Sequence, residues 1–294
     1  MATVKGPKRG VSIYSYSGEL GVDMTLEDCF RDMYDMGATG IEILANAHIE
    51  GYPNPTSEWV DHWFELCDTY HVTPVEYGHW VDSRRYRGHT LTAEESLQML
   101  LRDFRLANRL GFTVLRTKLG VIDDTLTPVE NWREFISMAL PYAEEYNVVM
   151  CPEIHIPTAL TGKMVQDYVE FIDQKNTKWF GLNIDFGTFQ NKWYTPNGRS
   201  PMPGMPEDGS PCSYPKDLRA LLPYIHCCHA KFNNMNENFE ETTIPYAEII
   251  KEFVDGGWDG YFLSEYEGPH KDEPGFVSDQ LRKQHVMMKR MLGY

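Results

Sequence analysis

A single (β/α)8 barrel of the TIM type is the α/β fold this sequence predicts, on three observations. Eight strand-like runs alternate with helix-like runs along the chain, the order of a parallel sheet with crossover helices. No linker interrupts them, and 294 residues is a normal length for one such barrel, so residues 1–294 are read as one domain. The Gly-rich phosphate turn that a doubly wound open sheet would need is missing.

The elements follow in order. The runs "GVSIYSY" (10–16) and "TGIEIL" (39–44) flank "LEDCFRDMYDM", a helix stopped by Gly37. After "VTPVEYG" (72–78), Thr92 and Glu95 of "TAEE" make a capping-box pattern, and Gly111 follows "LRDFRLANRL" as a stop. "FTVLRTK" (112–118) leads to "TPVE", with Thr127 as cap, Pro128 at the first helical position and Glu130 three after the cap. "VVMCPEI" (148–154), "FGLNIDF" (180–186), "IHCCHAKF" (225–232) and "GYFLSEYE" (260–267) complete the strands. Residues 190–215 break the rhythm, being rich in Pro and Gly and too long for an ordinary βα loop. Trp193, Tyr194, Met202 and Met205 within them favour an ordered lid or a subunit contact, since a plain linker needs no such side chains.

Composition narrows the function. Hydrophobic residues at 42% and aromatics at 13% suffice for a large core and exclude a disordered chain. With 43 acidic against 27 basic residues, the charge of −16 repels polyphosphate, which argues against nucleic acid or an anionic membrane and suits a small neutral substrate. The opening "MATVKGPKRG" leads into no apolar signal core, and no run approaches a membrane helix in length, so a cytoplasmic location is expected. None of the six cysteines forms a CxxC pair; reduced, mostly buried thiols are expected rather than a disulfide or all-cysteine zinc framework.

Chemistry in such a barrel sits at the C-terminal strand ends. There, strand five carries Glu153 and His155, strand six Asp185, strand seven His229 and Lys231, and strand eight Glu265 and Glu267. Strand side chains alternate with period two, so Glu153 and His155 share a face, and a buried carboxylate needs compensation. Alone, each of these is accounted for as a satisfied polar group; their recurrence on four consecutive strands points to a divalent cation held by Glu153, Asp185, His229 and Glu265. Three carboxylates and one imidazole suit Mn²⁺, Mg²⁺, Co²⁺ or Zn²⁺, with Mn²⁺ favoured as intermediate in softness. His155 sits beside the ion as a base near neutral pH, or else orients Glu153. Lys118, at the end of strand four, or Lys231 stabilises an oxyanion or balances a carboxylate. Glu42, Glu76 and His79 at the ends of strands two and three, and His48 after strand two, are sugar-binding candidates or ordinary rim groups. Tyr14, Tyr16, Trp80 and Tyr86 are expected near the same mouth.

"GATGIEIL", "CPEIH", "NIDFGTF", "CCHAKF" and "FLSEYEG" resemble the sugar phosphate isomerase/epimerase superfamily, whose fold is the xylose-isomerase-like TIM barrel, over nearly the whole chain. Its four metal ligands map onto Glu153, Asp185, His229 and Glu265. Within it, "KRGVSIYSYSGE", "AHIEGYPNPT" and the Glu-x-His of strand five look most like the catalytic α subunits of bacterial C-glycoside deglycosidases. The resemblance implies Mn²⁺, a small β subunit, and cleavage of the carbon–carbon bond of 3-oxo-C-glucosides of plant aromatics. It makes His155 the base for the sugar C2 proton; Lys231 and Glu267, with Glu42, Glu76, His48 and His79, are expected from their places near the strand ends to bind substrate. The alternative it implies is a ketose isomerase or 3-epimerase, in which the enediolate is reprotonated and Glu153 and Glu265 share the proton work. A metal-dependent endonuclease would need more His and Asp ligands and a basic face, against the −16 charge. A non-catalytic binding barrel leaves so many charges at one mouth without a reason.

Overall fold

The computed structural model describes residues 6–78, 88–119, 127–191, 206 and 208–294. Its eight strands close a parallel barrel in chain order: β1 Lys8–Ser12, β2 Gly40–Leu44, β3 Thr73–Gly78, β4 Val114–Thr117, β5 Val149–Ile154, β6 Leu182–Asp185, β7 Ile225–Phe232 and β8 Tyr261–Tyr266, which returns to β1. Around it lie α1 Leu26–Met36, α2 Ala45–His48, α3 Ser57–Tyr70, α4 Ala93–Arg109, α5 Trp132–Tyr146, α6 Lys163–Lys175, α7 Tyr246–Asp255 and α8 Phe276–Leu292. The barrel class and all eight strands agree with the sequence reading. Among the described residues no helix is long and apolar enough to cross a membrane.

Local rules explain most boundaries. The Thr92–Glu95 box forms, Glu95 N donating to Thr92 Oγ1 at 3.2 Å and Thr92 N to Glu95 Oε2 at 2.9 Å. Gly37 ends α1 at φ 71°, a left-handed turn that glycine adopts without strain.

Three expectations are corrected. β1 stops at Ser12, not at residue 16, because Ile13–Tyr16 winds into a 3₁₀ turn whose Ser15 hydroxyl takes over the bonding to β8: it donates to Ser264 O at 3.1 Å and accepts from Tyr266 N at 2.9 Å. Tyr16 consequently leaves the mouth and is buried, donating to Asp32 of α1 at 2.7 Å. The helix expected from Thr127 begins at Trp132 with Asn131 as its N-cap; Val129 N, a donor that a Thr127 cap would accept, is already tied to Leu119 O at 2.8 Å. Finally, the sixth crossover has no α-helix among the described residues; 3₁₀ turns at Pro215–Ala220 and Leu222–Tyr224 stand there, each with a proline among its first two residues.

Between strands and helices the core is aromatic: Trp132 packs on Tyr168, Phe171 and Phe180, while Phe186 meets Tyr246, Phe253 and Phe262. Inside the barrel, Val75, Val114, Cys151, Cys227 and Leu263 form an apolar floor against which Tyr261 packs. That floor fits because two strands approach with no side chain. A Cβ on Gly40 would lie 2.4 Å from the Tyr261 ring, and one on Gly10 would lie 2.5 Å from Gly40 O and 2.7 Å from Leu263 Cδ2. Gly10→Ala is therefore expected to overpack the floor and lower stability by about 1–3 kcal/mol, read as an earlier urea midpoint at an unchanged slope.

Candidate active site

Above the apolar floor the inward positions turn polar, and strand register decides which groups meet. Ladder partners point to the same face, so Glu42 pairs with Glu76 across β2/β3, Glu153 with Asn183 across β5/β6, Asp185 with His229 across β6/β7, and Lys231 with Glu265 across β7/β8. Ser12 stands beside Glu42 on β1. All of these except Glu153, which is partly exposed, are buried.

His229 is the hub. Its Nδ1 lies 2.8 Å from Glu153 Oε1 and 3.5 Å from Glu265 Oε2; its Nε2 lies 3.0 Å from Glu76 Oε2 and 3.3 Å from Glu42 Oε2. Glu153 is engaged at its other oxygen too, by Arg116 Nη1 at 3.1 Å, and Arg116 Nε lies 3.6 Å from Glu42 Oε1. Asn183 Nδ2 donates to Glu76 Oε1 at 3.0 Å. Lys231 links this layer to the mouth: its Nζ is 2.9 Å from Asp185 Oδ2, 3.7 Å from Glu265 Oε2 and 2.8 Å from His155 Nε2. His155 stands one residue past β5 with its Nδ1 against Ile156 O, so Nδ1 carries the proton and Nε2 offers a lone pair to Lys231.

These contacts set the charges. Burial pushes His229 down, but Glu42, Glu265, Glu153 and Glu76 outweigh it and raise the imidazole well above its usual pKa. Burial likewise opposes the charge of Lys231, yet Asp185, Glu265 and Glu267 hold it well above the ordinary lysine value. Glu153, despite desolvation, is held well below the carboxylate range by Arg116 and His229. Glu42 is also lowered, by His229 and Arg116 against its burial. For Glu76 and Glu265 burial prevails, and Glu265 rises to about 7.

The structure thus brings Glu153, Asp185, His229 and Glu265 together, with one candidate donor atom of each within 4.8 Å of the others. The donor set suits a hard or borderline divalent cation: three carboxylates and one imidazole nitrogen. Asp185 Oδ2 and Glu265 Oε2 are buried and accept no hydrogen bond, although Lys231 lies nearby. His155 and Lys231 adjoin the cluster, and Glu267 stands just beyond β8, lowered by Lys231 and Lys271 against its burial and bonded to Tyr14.

Other candidates are placed differently. Glu42 and Glu76 are not rim groups at strand ends: they lie within β2 and β3, fully buried beneath His229, because the barrel interior at that level is filled by charge-compensated side chains. His48 closes α2, where its Nδ1 accepts from Leu44 N at 2.9 Å and burial lowers it to about 4. Lys118 is half-buried one residue past β4. His79, Trp80 and Tyr86 lie outside the described residues, as do Trp193, Tyr194, Met202 and Met205 of the long loop.

Sequence reasoning missed Arg116 and Asn183. Both had a signal: each is two residues from a selected group, Lys118 and Asp185, and so shares its face. Arg116 also supplies part of the compensation that Glu153 needs, beside any contribution from a cation. Lys271, whose ammonium lies 4.0 Å from the Tyr14 ring centroid, had no strand period to reveal it.

Comparison with known proteins fits this geometry. Residues 30–287 match the family model of the xylose isomerase-like TIM barrel. The chain is 24% identical to a C-glycoside deglycosidase alpha subunit of Arthrobacter globiformis, covering 98% of this chain and 93% of that one. It is 21% identical to a 3'-dehydrocarminate deglycosidase alpha subunit of Microbacterium sp, covering 100% and 97%. Among solved structures, D-allulose 3-epimerase from Methylomonas sp. in complex with D-allulose superposes with a TM-score of 0.67 at 12% identity, covering 99% of both chains, which shows the shared fold.

Arg116 side-chain exposure is 7%, so its loss strips Glu42 and Glu153 of a buried partner. Arg116→Met is expected to lower unfolding free energy by about 3–5 kcal/mol, and adding Glu42→Gln to recover part of it. Urea denaturation of the single and double variants measures both; a single variant as stable as the native protein would refute the compensating role.

Proposed function

The chain belongs to the xylose isomerase-like TIM barrel family, and on that premise we propose that it is the catalytic subunit of a metal-dependent C-glycoside deglycosidase. The observation that carries this reading is the pair at the mouth: His155 Nε2, its lone pair directed at Lys231 Nζ at 2.8 Å, beside the cluster of Glu153, Asp185, His229 and Glu265. The names of the two deglycosidase relatives support the substrate class and, as alpha subunits, a partner subunit.

In this proposal Glu153, Asp185, His229 and Glu265 hold a divalent cation, Mn²⁺ by preference, with His229 presenting Nδ1. When bound, the ion polarises a substrate carbonyl and offsets negative charge developing beside it. The substrate is a C-glucoside already oxidised to the 3-ketone, whose C2 proton is acidic. His155 Nε2 takes that proton, while Lys231 transfers its hydrogen bond from the imidazole to the substrate oxygen that gains charge. The electron pair of the broken C2–H bond passes to the enediolate and then forms the C1–C2 double bond, breaking the bond from C1 to the aromatic carbon. The proton carried by His155 is available to that departing carbon. The products are the free phenol and an unsaturated anhydro-keto-sugar, so atoms and charge balance without a co-reactant. A phenolic oxygen ortho or para to the bond makes the departure feasible.

Ketose isomerisation or 3-epimerisation through the same enediolate is the second reading, favoured by Glu265, which at about 7 is suited to carry a proton. In its simplest form Glu153 shares that work. The engagement of both Glu153 oxygens by His229 and Arg116 weighs against that form and for His155. A cytoplasmic location is part of the same proposal.

Two measurements test the reading. Mn²⁺-loaded protein, with and without a co-expressed neighbouring small subunit, should release the aglycone from 3-oxo-puerarin, followed by chromatography. Release should vanish with chelator and fall about 10²–10⁴-fold in His155→Ala. No release, with exchange of a ketose α-proton for solvent deuterium instead, would transfer the assignment to the isomerase or epimerase. The second measurement is calorimetric. The raised His229 is protonated in the metal-free site near neutral pH, so an ion must displace that proton. Mn²⁺ affinity should therefore rise with pH, and titrations in buffers of different ionisation enthalpy should reveal proton release; pH-independent affinity would exclude His229 as a ligand.

A further inference from the structure

The buried side of His229 is not used by the chemistry above, yet the barrel spends two carboxylates on it. Glu76 Oε2 lies 3.0 Å from Nε2, and its other oxygen accepts from Asn183 Nδ2, also at 3.0 Å. Glu42 Oε2 is 3.3 Å from the same nitrogen, but neither Glu42 oxygen accepts a hydrogen bond. Glu76, Asn183 and His229 have no solvent exposure, and Glu42 has 1%.

We propose that Glu76, aimed by Asn183, is a positioning residue that fixes the ring of His229 and thereby sets how tightly the site holds its cation. The inference rests on the metal-dependent reading above. A neutral imidazole has one N–H and one lone pair. For Nδ1 to face the ion among Glu153, Asp185 and Glu265, Nε2 must keep its proton, and a carboxylate behind it holds that tautomer and makes the ring a better donor. Asn183 prevents Glu76 from rotating away, and its place beside Glu153 in the β5/β6 ladder links this support to a second ligand.

The same Glu42, Glu76 and His229 lie close enough together to hold a second ion. Two features oppose that assignment. Nε2 would have to lose its proton while Nδ1 is coordinated, leaving an imidazolate, and the Arg116 guanidinium already lies 3.6 Å from Glu42. One ion in front of the ring and a carboxylate behind it gives each ring nitrogen of His229 its partner.

Asn183 Oδ1 has no hydrogen-bond partner, which makes a clean test possible. In Glu76→Gln the amide oxygen accepts from Nε2–H, and its NH₂ donates to Asn183 Oδ1 once that amide turns over, so geometry is kept and only charge is lost. Glu76→Leu removes both, and Asn183→Ala removes the aim while keeping the charge. Mn²⁺ is titrated calorimetrically into metal-free full-length protein at a single pH, and the visible spectrum of the Co²⁺-loaded form reports ligand geometry. The native protein should bind one Mn²⁺ per chain. Glu76→Leu should weaken it by about 10–100-fold and alter the Co²⁺ spectrum. Glu76→Gln should lose less and keep the native spectrum, with Asn183→Ala in between. Native affinity in Glu76→Leu, or in Asn183→Ala if the leucine variant does not fold, overturns the proposal. Two ions per chain in the native protein, with one missing from both Glu76 variants, would make Glu76 a ligand and overturn it as well. A native protein that binds no Mn²⁺ would instead remove the metal-dependent reading, and this support role with it.

Discussion

Glu42, Glu76, Glu153, Asp185 and Glu265 share the interior of one barrel, and much of the upper half of the molecule is organised by the need to neutralise them. Removing a carboxylate from water costs several kcal/mol unless charge and hydrogen bonds are returned to it. Arg116 and Lys231 return permanent positive charge, and His229 becomes cationic because carboxylates surround both of its nitrogens. Two permanent cations and one imidazole leave this layer short of positive charge, the condition under which a divalent ion is stabilising. The metal reading and the compensation by side chains are therefore complementary parts of one electrostatic balance.

This balance depends on a closely packed scaffold. The apolar floor of Val75, Val114, Cys151, Cys227 and Leu263 closes the barrel below the charges, and the bare backbones at Gly10 and Gly40 let that floor pack. On the floor, the strand ladders put Asp185 beside His229 and Lys231 beside Glu265, so relative placement is set by backbone hydrogen bonds more than by loops. At the rim, Ser15 ties the turn after β1 to β8, and Glu19 accepts from Gly275 N at 2.7 Å, fastening the loops that carry Tyr14 and Lys271. His155 occupies the transition between these regimes: it is the first residue past β5, anchored by Ile156 O and Lys231 rather than by the ladder.

The strands were legible because a parallel barrel strand is a short apolar run whose polar residues stand at its C-terminal end, as in "NID" and "CCHAKF". Boundaries were less so, and each miss has a local cause. The first strand gave way to a 3₁₀ turn because the Ser15 hydroxyl could replace ladder bonds, and the Thr127 cap was unused because Val129 was already bonded to Leu119. In the site, the four widely spaced residues Glu153, Asp185, His229 and Glu265 were selected because they recur at equivalent strand positions, and the structure gathers them. Glu42 and Glu76 were selected, as sugar-binding or rim groups, but placed at strand ends rather than within the barrel. Depth along a strand is set by barrel shear and by the bulge between Ile41 and Glu42, neither of which leaves a periodic trace.

From the sequence alone came the barrel, the order of its strands, the choice of carboxylates and imidazoles at their ends, and the position of His155 two residues beyond Glu153. These are properties of one segment at a time, governed by side-chain period and turn chemistry. Which nitrogen of His229 meets which carboxylate, that Arg116 grips Glu153 from a neighbouring strand, that Lys231 faces His155, and that Glu76 stands behind the ring were decided only by tertiary structure. Each depends on how separate strands are placed around the barrel and on burial in a low-dielectric interior, where a shift of one residue along a strand would exchange a compensated charge for an isolated one.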